Sequence, residues 1–389
     1  MSEQVRGIGA ISVAGVGLRQ YRRGSAPMPE QGVLVAAIED ACRDSGIATE
    51  DIDGFVSYGD DHNEPVRLMP ELGTRELCLS AQVWGGGGGG IAGAFGLAAS
   101  AISTGQAKVV AVFRALAQDN SGRLSAAVMG HHLNDHLRGI GLVAPAQACA
   151  MRAQRMFEYH KVPHQVVIEM MRASYYHGAR NPEAVAYGTT FDVDAYEHSR
   201  WISEPFRLFD CSRENDGAAA LILVSRERAK DLRKPPVYLL AVATGAERGW
   251  GDLLENDIDY TSAGFHSVAR RLWSQSGLTP KDIDVAQIYE NFTAQGIASL
   301  IDHGLCTYEN VSELVRFENL IAPNGKLPVN TSGGNLAQGF IHGIGMAIEA
   351  VRQLRGESTN SVPGAKTCLL AGGPGAPIVS SAIFSTQVP

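Results

Sequence analysis

Apolar residues along this chain follow two patterns: short continuous runs of strand length, and longer stretches in which they return every third or fourth position. Strand-like runs fall at 7–16, 79–84, 109–113, 217–224, 236–245, 285–289 and 367–371, and helical patterns at 91–104, 147–160, 164–177 and 335–355. The order of these elements repeats. A helical segment ending at Ser45-Gly46 leads through Asp51-Ile52-Asp53 into an apolar strand that closes on Tyr58, and a second, ending at Ser276-Gly277, leads through Asp282-Ile283-Asp284 into a strand that closes on Tyr289. The offset is 231 residues at every matched position. Gly46 and Gly277 fit helix C-caps, where a left-handed residue is needed. Each half later carries a glycine cluster that opens a helix, and each such helix stops at a glycine, Gly105 and Gly356. The pattern predicts a duplicated α/β fold in α/β/α/β/α layers, with halves at 1–230 and 231–389. An insertion at about 118–205 has no counterpart in the second half, and it is expected to shape a substrate tunnel.

Six consecutive glycines, 85–90, lie between the run at 79–84 and the helical pattern at 91–104. Ordering six glycines is entropically expensive. Their place at a strand-to-helix junction between apolar flanks predicts bare backbone N–H groups presented to a ligand rather than a linker.

Composition narrows the classes. The chain has 389 residues, 45% hydrophobic and 19% charged, with 33 Lys and Arg against 41 Asp and Glu. The net charge of −8 argues against nucleic-acid binding. No apolar stretch reaches membrane-span length, and the polar start carries no leader-like segment. The six cysteines make no C-x-x-C pair and read as reduced thiols of a cytoplasmic protein. His131, His132 and His136 lack the carboxylate of a zincin motif and read as a loop rather than a metal site, so no metal or cofactor is expected.

The motifs Glu214-Asn215-Asp216-Gly217, Ile288-Tyr289-Glu290-Asn291-Phe292-Thr293, Asn330-Thr331-Ser332-Gly333-Gly334 and Ala371-Gly372-Gly373-Pro374-Gly375, taken with the duplication, resemble the thiolase superfamily. More narrowly, the chain resembles the sterol-carrier and lipid-transfer type of thiolase-like protein and the actinobacterial steroid side-chain aldolases. The resemblance places a thiolase's nucleophilic Cys at Gly88 or Gly89. Its activating His falls at Phe340, and its second Cys near Leu369, beside Cys368. All three groups are therefore missing. What the resemblance implies instead is retro-aldol cleavage of a β-hydroxyacyl-CoA, with a steroid side chain as the expected substrate, to a ketone and a short acyl-CoA. On that reading Tyr289 is the base or relay, tuned by Glu290 or His342. Backbone N–H groups of Gly88, Gly89 or Gly373 hold the oxyanion, Asn291 and Phe340 line the substrate site, and Arg114 and Arg123 are candidates for the CoA phosphates. The aldolases of this kind carry a second Tyr where this chain has Phe340. Two alternatives remain at this stage: an acyltransferase that uses Cys368 or Cys78 as nucleophile, and a non-catalytic acyl-CoA or lipid scaffold. The resemblance also implies a homodimer joined by a small OB-fold partner in a heterotetramer.

Overall fold

Strands rich in Val, Ile and Ala that are buried on both faces need helices above and below them. In the computed structural model, which describes residues 8–117, 139–247 and 260–388, they have them. The main sheet contains β1 (Ile11–Arg22), β2 (Gly54–Tyr58), β3 (Leu79–Val83), β4 (Val109–Leu116), β7 (Asn215–Ser225), β8 (Val237–Gly245), β9 (Val285–Ile288), β10 (Thr367–Gly372) and β11 (Val379–Ser385). The remaining two, β5 (Trp201–Ser203) and β6 (Phe206–Arg207), form a small hairpin in the insertion. The order across the main sheet is β3-β2-β4-β7-β1-β8-β11-β10-β9.

The two arms of that sheet are built alike. In the first arm β2 runs parallel to β3 and β4, then β7 and β1 follow antiparallel. In the second, β9 runs parallel to β10, then β11 and β8 follow antiparallel. The arms meet over only two register pairs, Ser12 with Tyr238 and Val13 with Val237. The place corresponding to β3 is held by a single parallel bridge between Ala286 and Val329. Helices Ile91–Thr104 and Ile344–Arg355 lie between the arms. The first packs on β2 and β4 and across to β8 and β11; the second packs on β9 and β10 and across to β1 and β7. Helices Glu30–Ser45 and His266–Ser276 cover the outer faces. This gives the five-layer α/β arrangement that the repeat predicts.

The repeat also explains its acid pairs. Asp53 accepts the backbone N–H groups of Lys108 and Val109, and Asp284 accepts those of Lys366 and Thr367. Each carboxylate therefore fastens the start of the neighbouring strand.

Two elements differ from the sequence reading. β11 escapes the apolar pattern because three of its seven residues are serines. Buried, these have partners: Ser380 Oγ accepts the Ala92 N–H at 3.0 Å, and Ser381 Oγ pairs with His303 Nε2 at 2.9 Å. The pattern at 335–355 is also not one helix. A short turn, Gly334–Ala337, ends before Gly339 (φ 153°), and the helix resumes at Ile344 after Gly343 (φ 85°). Both glycines take backbone conformations that side chains resist. His342 consequently stands in the intervening loop, off the helix, at φ 47°. The insertion supplies helices Pro145–Glu158 and Gln165–Arg180, close to their expected places. Arg123, His131, His132 and His136 lie outside the described residues. No helix among the described residues is long and apolar enough to cross a membrane.

Candidate active site

β9 delivers Tyr289 to the junction between the two arms. Its ring packs over the glycine run. A Cβ added to Gly88 would stand 2.7 Å from Tyr289 Cδ2 and 2.9 Å from Cζ, and closer still to Cε2. On the opposite side, a Cβ on Gly343 would stand 3.0 Å from Cε2. The phenol is held between two glycines, in the space that a side chain at position 88 would otherwise take. Tyr289 is 3% exposed. Burial pushes its phenol well above the ordinary range, opposed first by a hydrogen bond from the Gly88 N–H and then by the Arg114 guanidinium. Tyr289 is thus a neutral phenol at neutral pH, not a standing base.

Three residues of the glycine run, Gly86, Gly87 and Gly88, line the cavity described below, and Tyr289 packs over Gly88. The Gly89 N–H donates to the Gly86 carbonyl at 3.0 Å. Gly89 and Gly373 pack against each other without room for side chains: a Cβ on Gly373 would meet the Gly88 carbonyl carbon at 3.0 Å and Gly89 atoms closer still. Gly88 and Gly373 line the cavity described below; Gly89 sits behind them.

The first half's Tyr58, at the repeat position of Tyr289, makes the mirrored reach. Its hydroxyl donates to the His342 carbonyl at 2.8 Å. Each tyrosine thus crosses to the loop at the other half's central helix.

His342 is 3% exposed and lines the cavity. Its Nδ1 lies 3.2 Å from Arg114 Nε and 3.0 Å from Arg114 Nη2. A guanidinium only donates, so Nδ1 accepts. Burial, and then the Arg114 charge, hold the imidazole well below its ordinary pKa. Arg114 is itself 2% exposed, and its Nη1 donates to Asp61 Oδ2 at 2.8 Å. The structure corrects the assignment of Arg114 to CoA phosphates: it is a buried β4 residue engaged by Asp61 and His342, and it does not line the cavity.

Phe340 lies beside both, its ring centre 6.0 Å from that of Tyr289 and 5.1 Å from that of His342. Its N–H donates to Asn215 Oδ1. Asn291 also lines the cavity. Glu290 does not join this group. β-strand alternation turns it away from Tyr289, into the loop around Gly334, where Oε1 accepts the Leu336 N–H at 3.5 Å. Burial raises its carboxyl to about 8.

Tyr289, Phe340 and His342 form one wall of a cavity of about 1250 Å³. Its other walls come from residues 142–149 at the start of an insertion helix, the aromatic pair Tyr175 and Phe209, and residues 373–377. Arg22, Arg23, Arg200 and Arg213 also line it. These arginines carry no motif and are scattered through the chain, so the sequence reading passes over them; only the fold brings them together.

The thiols proposed as substitutes do not reach the cavity. Cys368 is fully buried within β10, where burial raises its thiol well above the ordinary range. Cys78 precedes β3, and its thiol is also raised. Cys149 and Cys211 do line the cavity, but burial pushes both to about 12, away from thiolate.

A family model described as "Thiolase C-terminal domain-like" matches residues 246–385. Two curated proteins align with nearly the whole chain. The 17-hydroxy-3-oxo-4-pregnene-20-carboxyl-CoA lyase of Mycobacterium tuberculosis is 32% identical over 388 residues, covering 95% of this chain and 97% of its own. The steroid side-chain-cleaving aldolase of Thermomonospora curvata is 32% identical over 382 residues, covering 95% and 96%. Among solved structures, the Ltp2-ChsH2(DUF35) aldolase superposes with a TM-score of 0.89 at 32% identity, over 97% of this chain and 98% of that one. The acetyl-CoA acetyltransferase of Syntrophomonas wolfei, at 14% identity and a TM-score of 0.70 over 97% and 99%, shares the fold.

Proposed function

The chain belongs to the thiolase-fold steroid side-chain-cleaving aldolases, and from that premise we propose that it cleaves a β-hydroxyacyl-CoA with Tyr289 as the proton relay. The observation that carries this reading is the placing of Tyr289: a phenol packed over Gly88, in the space of a missing side chain, on the wall of a cavity wide enough for a bulky acyl group.

Retro-aldol cleavage needs three things. The β-hydroxyl loses its proton, the electrons of the Cα–Cβ bond pass to the thioester carbonyl, and the α-carbon is protonated. The phenol, neutral at rest, first gives its proton to water; the phenolate then takes the β-hydroxyl proton, and the phenol so formed hands that proton to the α-carbon, which restores the phenolate. The Gly88 N–H and the nearby Arg114 charge favour the transient phenolate. The products are a ketone and a shortened acyl-CoA. Arg200 and Arg213, on the cavity wall, offer charge to the CoA phosphates. A thiol nucleophile is not favoured, because burial outweighs the neighbouring arginine at each cavity cysteine, Arg152 at Cys149 and Arg200 at Cys211.

The functional unit is a homodimer with a small OB-fold partner, a heterotetramer. β3 is the outer strand of its arm, and Trp84 at its end is 84% exposed, which suits pairing with a second copy. The two-component name of the Ltp2-ChsH2(DUF35) aldolase supports a partner chain. No cofactor is required by the chemistry. Light scattering on the chain alone, and co-expressed with its candidate partner, reads the assembly directly.

The test of the reaction is turnover of a β-hydroxy steroid acyl-CoA, followed by ketone release. Tyr289→Phe keeps the ring in its slot and removes the proton. It should lower kcat about 100-fold to 10,000-fold with an unchanged unfolding midpoint. Undiminished cleavage by this variant would remove Tyr289 from the mechanism.

A further inference from the structure

The cavity offers a hydrogen-bond donor that is not backbone. His342 Nδ1 accepts from the Arg114 fork, so the ring proton sits on Nε2. Nε2 is the end of the ring away from Arg114, on a residue that lines the cavity while Arg114 does not. Gly88, the backbone donor expected for the oxyanion, is covered by the Tyr289 ring.

We propose that Asp61 and Arg114 are positioning residues that lock His342 as a neutral Nε2–H donor, and that this donor holds the thioester oxygen as it becomes an enolate. The inference rests on the lyase reading above and names a role for a group that reading leaves idle. No proton moves at His342: as the Cα–Cβ electrons reach the carbonyl oxygen, the Nε2–H bond to that oxygen strengthens, and it relaxes when Tyr289 protonates the α-carbon.

The lock is built from three sides. Asp61 Oδ2 accepts from both Arg114 Nη1 and the Ala115 N–H, at 2.8 and 3.0 Å, which fixes the guanidinium. The guanidinium presents two donors to Nδ1. The Tyr58 hydroxyl holds the His342 carbonyl at 2.8 Å, and so the left-handed backbone that aims the ring. Protonation of Nδ1 would drive the ring off Arg114, so the imidazole stays neutral where an ordinary histidine titrates. The titratable and charged groups around His342 are Arg114 on β4, Asp61 beyond β2, Tyr58 on β2, Tyr289 beyond β9, and Asp60 on the cavity wall. A neutral imidazole that polarises a carbonyl is a known catalytic device.

Three measurements test the lock. In protein carrying nitrogen-15 histidine, with the His342 signals assigned by their loss in His342→Gln, Nδ1 should be unprotonated and Nε2 protonated from pH 6 to 8. A protonated or Nδ1–H ring overturns the proposal, whether or not the protein turns over. In kinetics, His342→Ala should lower kcat about 100-fold with little change in KM. His342→Gln, which keeps an N–H near Nε2, should restore at least tenfold of that loss, and His342→Asn should restore less. Equal rates for the three variants overturn the proposal. Finally, the wild-type rate should show no acidic limb near pH 6.5, and Arg114→Met should create one. If Arg114→Met fails to fold, Asp61→Asn combined with Arg114→Met removes both buried charges and gives the same reading. A wild-type limb that vanishes in His342→Gln would make His342 a base and overturn the assignment. Absence of ketone from every β-hydroxyacyl-CoA would count against the lyase reading, while the nitrogen-15 result would still stand or fall by itself.

Discussion

Gly88→Ala should disable the protein through Tyr289, although alanine is otherwise welcome near a helix start. Gly88 is not among the residues with positive φ, so its backbone accepts a side chain. The obstacle is the ring. The new Cβ would stand 2.7 Å from Cδ2 and 2.9 Å from Cζ, where carbon atoms settle about 3.5–4.0 Å apart. The ring would have to retreat by about 1 Å, and Gly343 with Met346 closes the way back: a Cβ on Gly343 would itself meet Cε2 at 3.0 Å and Met346 Cε at 3.2 Å. Overpacking of this kind costs about 1–3 kcal/mol. The assay is urea unfolding of wild type, Gly88→Ala, Tyr289→Ala and the double variant. With the ring gone, Gly88→Ala should be neutral, or stabilising by about 0.5 kcal/mol through the unfolded chain. The pair should therefore couple by at least about 1 kcal/mol. Additive changes would show that position 88 is not filled by Tyr289 and would refute the steric reading of the glycine run.

The remaining predictions concern charge and thiols. Glu290 has a folded pKa of about 8, against about 4.3 unfolded, so the folded state holds a proton that the unfolded state releases between these values. Stability from this group is full below about pH 4.3 and is lost as pH rises through 8. Glu290→Gln should flatten the decline of the urea midpoint between pH 5 and 8, and an unchanged slope would contradict its burial as a neutral acid. Replacing Cys368, Cys78 or Cys149 singly by Ala should leave cleavage within about threefold, since the chemistry needs no thiolate; acetyl exchange lost with any one of them would favour acyl transfer. Arg200→Ala or Arg213→Ala should raise KM for the acyl-CoA about threefold to tenfold, more at low salt, with kcat little changed. A change confined to kcat would move these arginines away from the phosphates.

The layered fold was legible because duplication writes the same spacing twice: helix cap, acid pair, strand and tyrosine recur at one offset, and the structure gives Asp53 and Asp284 one job. The missing nucleophile was legible too, as glycine where a side chain was expected. What the sequence could not show is how three residues far apart in the chain meet. Nothing near Arg114 says that it will point inward to His342 rather than outward to a phosphate, because that depends on Asp61 arriving from another strand. β11 hid for a related reason: its serines look exposed until their buried partners are known. The break at Gly339 and Gly343 lies inside an otherwise helical pattern, and periodicity alone reads through it.

The crossed tyrosines join the halves of this molecule like a lap joint. Tyr58 fastens the loop that aims His342, and Tyr289 rests on the glycines of the opposite half. The spacing between phenol and imidazole is therefore set jointly by the Gly343 contact within the second half and by how that half seats on Tyr58 and Gly88 of the first. Turnover becomes a gauge of that seating. A substitution toward the C-terminal end of helix Ile91–Thr104 or Ile344–Arg355, far along the chain from the cavity residues, will be felt first as misalignment of the two groups and only later as loss of fold.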